Sequence, residues 1–189
     1  MKNIKTIKLL ALLFISTLTL SSCSDDHDDD HDHEEELITT VTYTLTNGND
    51  VVTLKFVDLD GEGGADGTYS VSGSLAANTT YTGVIKLENE TESPAEDITL
   101  EVQEEGDEHE FFYTTSVAGT TIVKTDVDKD RNPIGITTNV NTGAAGKGTL
   151  TIVLKHEPKK PNDGTSADAK GSTDAEVTFT LNVVNQAVK

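Results

Sequence analysis

The chain has 189 residues, a single cysteine, no tryptophan and a formal net charge of −19. Nucleic acid and anionic membrane surfaces are poor partners for so acidic a chain, whereas cations and basic protein surfaces are favoured ones. One thiol cannot build an internal disulfide, so any fold must rest on its core alone.

At the start, Lys2, Lys5 and Lys8 precede an apolar run from Leu9 to Leu20. A charged segment followed by about a dozen apolar residues has the proportions of a secretory signal and is too short for an ordinary membrane-spanning helix of ~20 residues. The run ends in Leu20-Ser21-Ser22-Cys23, which resembles the bacterial lipobox: Leu at −3, small residues at −2 and −1, then Cys. That resemblance implies removal of residues 1–22 and acylation of Cys23. Two or more acyl chains would hold the protein stably on a membrane.

From Ser24 to Glu36 the chain carries nine carboxylates, three histidines and no apolar residue. Such a block repels itself and cannot bury enough surface to fold, so residues 23–36 read as a lipidated cysteine and a disordered tether of at most ~45 Å. His27, His31 and His33 give the tether a candidate role beyond spacing. Neutral imidazoles suit divalent transition metals such as zinc, copper or nickel, and the carboxylates raise the local cation concentration. A plain solvated spacer is the other reading.

Residues 37–189 have the length of one domain. Leu37, Val41, Tyr43 and Leu45 alternate with threonines, Asn47-Gly48-Asn49-Asp50 supplies a hairpin turn, and Val52, Leu54 and Phe56 form the return strand. Further strand-like runs are 68–74, 80–89, 110–116, 120–125, 136–141, 149–156 and 175–184, divided by turn clusters. The segment 158–173 holds two prolines, two glycines and no apolar anchor larger than alanine, which suggests a mobile excursion. Between them, 93–106 is ambiguous. Ser93, Pro94 and Glu96 resemble the cap and first turn of a helix ending at Gly106, while Ile98, Leu100 and Val102 alternate as in a strand; a short helix is favoured. The whole predicts an all-β fold, an antiparallel β-sandwich of about eight strands with one short helix.

Three constellations could carry chemistry. Asp126, Asp128, Asp130 and Asn132 place oxygen side chains at alternate positions, the spacing of calcium loops, although Arg131 and Thr137 stand where an EF-hand has Gly and the bidentate Glu. Asp58 and Asp60, with Glu62 and Asp66, make a looser acidic loop among glycines, again readable as calcium ligands or as a turn. His109 and His156 each lie beside carboxylates at a strand end, where imidazole and oxygen could hold a metal together, or where they serve as separate surface histidines. Neither a nucleophile elbow nor an HExxH motif is present, so the chain does not read as an enzyme. Without tryptophan, a sugar-stacking platform is poorly supplied.

The lipobox, the acidic histidine tether and the segments Glu35–Thr42, Asp107–Tyr113 and Lys155–Pro158 together resemble small lipoproteins of Bacteroidota-type outer membranes. About a third of the chain carries this resemblance. Relatives of that group often bear the label "type 1 periplasmic binding fold", an α/β fold that the strands read here do not support. The resemblance implies outer-membrane anchoring, on the periplasmic face or the cell surface, and association with a TonB-dependent transporter. Asp25-Asp26 after the cysteine resembles a surface-display signal. The functional expectation is a non-enzymatic binding module that captures a ligand or metal ion. A structural or adhesive lipoprotein, with the tail only a spacer, is the alternative.

Overall fold

The computed structural model describes residues 37–61, 64 and 66–185. The signal segment, Cys23, the tether histidines His27, His31 and His33, and Glu62 lie outside the described residues. No helix among the described residues is long and apolar enough to cross a membrane.

Two sheets carry the domain. The first has the order β3-β2-β1-β5-β9-β8, with β6 added beside β5; the second has the order β4-β11-β10-β7. Their strands are β1 (Thr40–Asn47), β2 (Asp50–Val57), β3 (Thr68–Val71), β4 (Leu75–Ala76), β5 (Thr80–Asn89), β6 (Glu96–Asp97), β7 (His109–Thr115), β8 (Thr121–Lys124), β9 (Thr137–Asn141), β10 (Gly146–His156) and β11 (Ser172–Val184). Helices α1 (Ile98–Glu104) and α2 (Ser166–Ala169) complete it. The antiparallel β-sandwich expected from the alternation is thus present. Its extra members β4 and β6 are two residues each and exist through distant pairing, β4 in parallel with Val183–Val184 and β6 against Glu88–Asn89. Nothing local announces them.

Alternation does the work of folding. Val41, Tyr43 and Leu45 of β1 meet Leu54, Ile85 and Leu87 of the same sheet, and face Phe111, Leu150, Ile152, Leu154, Phe179 and Leu181 of the other. Their polar neighbours point to solvent, the division that a half-buried strand imposes. Tyrosines at the core edge keep their hydroxyls bonded. Tyr43 shares a hydrogen bond with Thr138 Oγ1 at 2.6 Å, and Tyr113 donates to the Gly135 carbonyl at 2.6 Å. Gly83 makes room for the first of these, because a Cβ there would stand 2.4 Å from the Tyr43 hydroxyl.

Segment 93–106 does form a helix, but it starts later than Ser93. Asp97 is the N-cap, its side chain accepting from the Thr99 N–H, because residues 96–97 are still held as β6. Ile98 and Val102, four apart, are buried, while Leu100 is 60% exposed. That is a helical face, so the apparent alternation was accidental.

The excursion after β10 has anchors that its composition did not announce. Residues 157–171 form an ordered strap across the outer face of the second sheet. Ala169, fully buried, packs with Phe112 and Val153 in a small cluster of their own. Polar anchors supply what apolar side chains do not, and they lead to the site.

Candidate metal centre

His109 opens β7, His156 closes β10, and the two are register partners. Counting inward positions along β10 gives Leu150, Ile152, Leu154 and then His156; along β7 it gives Tyr113, Phe111 and then His109. Both histidines therefore continue the core rows of the sandwich at one end of the sheet. Neither is a surface residue: His109 is 0% and His156 7% exposed. Their rings stack at 4.7 Å between centroids, 18° from parallel.

Asp174 joins them through an irregularity. Leu154 pairs with Ala175 but Lys155 pairs with Thr173, so Asp174 is the additional residue of a β-bulge in β11. Regular alternation would turn a residue beside inward Ala175 outward. A bulge puts two consecutive side chains on nearly the same side and re-aims one of them. The Asp174 side chain is accordingly only 3% exposed, with Oδ2 3.8 Å from His109 Nε2. One ligand atom from each of His109, His156 and Asp174 lies within 4.8 Å of the others.

The orientation of His109 is set from behind. Its Nδ1 lies 3.3 Å from the Glu105 carbonyl, which can only accept, so Nδ1 carries the proton. In the neutral ring the lone pair is then on Nε2, the nitrogen that faces the carboxylate. Two donors on one tetrahedral zinc, each ~2.0–2.1 Å from it, stand about 3.3 Å apart. The His109–Asp174 gap exceeds this by about half an ångström, and with the three ligand atoms spread over as much as 4.8 Å they must draw together to hold an ion. Two imidazoles and one carboxylate form a donor set for zinc and its neighbours, and three protein ligands leave a fourth position for water or an incoming ligand.

In the acidic loop 126–132, read as a calcium candidate, two of the carboxylates are engaged by the protein itself. Asp126 accepts the backbone N–H groups of Gly135, Ile136 and Thr137 at 2.9–3.2 Å. Asp128 accepts those of Asp130 and Asn132 and the Asn132 side-chain amide. Arg131 does take the left-handed conformation, φ 69°, that glycine has in an EF-hand. Asp126 and Asp128, however, hold the loop itself together, and the cation on Asp128 is a lysine. Lys160 Nζ stands 3.2 Å from Asp128 Oδ2, 2.5 Å from the Gly106 carbonyl and 2.7 Å from the His109 carbonyl. Burial pushes the Asp128 carboxyl up, but the Asn132 N–H, Lys160 and the Asn132 amide outweigh that and hold it below the usual carboxylate range. Asp58 caps its own turn by accepting the Gly61 N–H at 2.9 Å, and Asp60 is exposed beside it. Neither loop shares the His109–His156 site.

A second polar group borders the strap. Glu110, 2% exposed, bonds Lys124 Nζ at 2.5 Å and the Asn162 amide at 2.7 Å, and Lys124 lies 4.2 Å above the Phe112 ring.

Of the site's three residues, His109 and His156 stood as candidates at strand ends, with separate surface histidines as the other reading; the signal that turns them inward is the count on from Leu154 and back from Phe111. Asp174 gave no such signal, because alternation sends it to solvent and only the bulge brings it in. Comparison with family models, curated proteins and solved structures finds no match to this chain.

Proposed function

We propose that the protein is a lipid-anchored, non-enzymatic binding module whose sandwich captures one divalent transition metal ion, zinc by donor preference, at His109, His156 and Asp174. The observation that carries this reading is the convergence of two imidazoles and a bulge-directed carboxylate at one buried point. Anchoring through Cys23, outer-membrane residence and service to a TonB-dependent transporter complete the proposal and rest on the resemblance of the N-terminal region and the quoted segments. In it, the acidic histidine tail collects ions loosely and the sandwich retains them.

Metal analysis and zinc titration of the purified protein test this. One zinc per chain is expected at the sandwich site, surviving replacement of His27, His31 and His33 by Asn and abolished by Asp174→Asn with His156→Gln. Those near-isosteric changes spare the packing. A variant lacking both ligands that still binds zinc as tightly as the tail-substituted protein would overturn the reading.

A further inference from the structure

The three ligands are closed off from solvent, so an ion needs a way in. The strap is the chain segment between two of them, leaving directly after His156 and returning two residues before Asp174. It is also stitched to the turn that carries the third. Glu157 N–H donates to the Glu108 carbonyl at 2.7 Å. Lys160 reaches further, to the carbonyl of Gly106 and to that of His109 itself. Glu105, whose carbonyl orients the His109 ring, belongs to the same turn.

The fixings of the strap are uneven. Its apolar anchor is Ala169 with the buried Pro158, and the other fixings to the domain are polar: Lys160 on Gly106, His109 and Asp128, and Asn162 on Glu110, while Lys159 and Asp168 pair within the strap itself. Segments held by few apolar contacts are those that open locally while a sheet stays intact. Both ends are bent into the left-handed region by residues other than glycine, Glu157 at φ 49° and Lys170 at φ 58°. Lys170 has ψ −138°, outside the ordinary left-handed basin. Beside it, Gly171 (φ 68°) is obligatory, because a Cβ would stand 2.2 Å from the His156 carbonyl. Strained non-glycine joints at the two ends of a polar-latched segment make a hinge pair.

We propose that residues 157–171 are the door through which an ion reaches His109, His156 and Asp174, with Lys160 as its latch and as a positioning residue for His109. This rests on the metal-binding reading above. Breaking the Lys160 contacts frees the turn bearing Glu105 and His109 together with the first half of the strap. Relaxing the hinge at Lys170 does the reverse and favours the closed state.

The test follows zinc release from the full chain, with His27, His31 and His33 replaced by Asn, to a chromogenic chelator. If opening limits release, the rate is independent of chelator concentration. Lys160→Met should then speed release at least tenfold, and Lys170→Gly should slow it about threefold. Val52→Ala, far from the strap, lowers the melting temperature but should leave the rate unchanged. Because Lys160→Met leaves Asp128 buried without its cation, the pair Lys160→Met/Asp128→Asn and the milder Asn162→Ala provide folded alternatives. Rates proportional to chelator, or wild-type rates in the latch and hinge variants, would overturn the door. If zinc does not bind at all, the metal reading fails, and the door is judged by carbethoxylation of His109 and His156 with diethyl pyrocarbonate, located by mass spectrometry. Faster labelling in the latch variant and slower labelling in Lys170→Gly upholds it; equal labelling refutes it.

Discussion

Lys170 occupies a backbone state, φ 58° and ψ −138°, that glycine reaches freely and other residues reach at a cost of roughly 1–3 kcal/mol. Its side chain is exposed, so Lys170→Gly forfeits little contact. Set against the added unfolded-chain entropy of glycine, ~0.5–1 kcal/mol, a net gain of about 1 kcal/mol is expected, or ~2–4 °C in melting temperature for a domain of this size. A fall in melting temperature would show that the joint is not strained. Asp126 makes the opposite case. It satisfies three backbone N–H groups, and Asp126→Ala should cost about 1–3 kcal/mol in urea denaturation. The same loss in millimolar calcium and in chelator is expected, since the carboxylate serves the loop.

Asp128 gives a dependence on pH with a definite sign. Its folded pKa lies below the ordinary value, so its stabilisation is fully present above the unfolded pKa, ~3.9, and is lost as pH falls through the lower folded value. Protonation there also slackens Lys160. Below about pH 4, amide exchange in residues 157–171 should therefore rise ahead of exchange in β10 and β11. Simultaneous loss of protection across the sheet and the strap would contradict this order.

Among the elements, β11 and the strap decide the site. A regular β11 would leave Asp174 in solvent and the two histidines stacked without a carboxylate. The strap in turn depends on a very small apolar cluster. Phe112→Ala removes the largest member, and the loss should fall near the low end of the ~3–5 kcal/mol typical for buried Phe→Ala, because the cluster lies on an outer face. Hydrogen exchange should locate the damage in 157–171, with the strands of the first sheet still protected. Uniform deprotection would mean that the strap is integral to the core.

For the whole molecule, the proposal divides labour between an anchor, a tail and a sandwich, and each part fails separately. Cys23→Ala should leave the protein unprocessed or release it from membranes, without altering zinc binding by the sandwich. Correct cleavage with full membrane retention would contradict the lipid anchor. The sandwich itself was readable residue by residue, because alternation of apolar and polar side chains is a local property with a period of two, and it survives from sequence into β1, β2, β5, β10 and β11. Helix α1 was half readable: its existence and its end at Gly106 were visible, but the pairing of β6 with β5 put the N-cap at Asp97 and not at Ser93. The strap looked mobile because an alanine anchor and a lysine bonded to carbonyls leave no pattern in composition. So the sequence by itself determined the longer strands and the faces they bury, and it put His109 and His156 at strand ends without choosing between a shared site and separate surface histidines. Only the tertiary structure decided that the two histidines meet in one register, that Asp174 turns in to join them and that Lys160 takes up Asp128. Register, bulges and ion pairs between distant segments depend on which strands become neighbours, and that is settled by the packing of the whole chain.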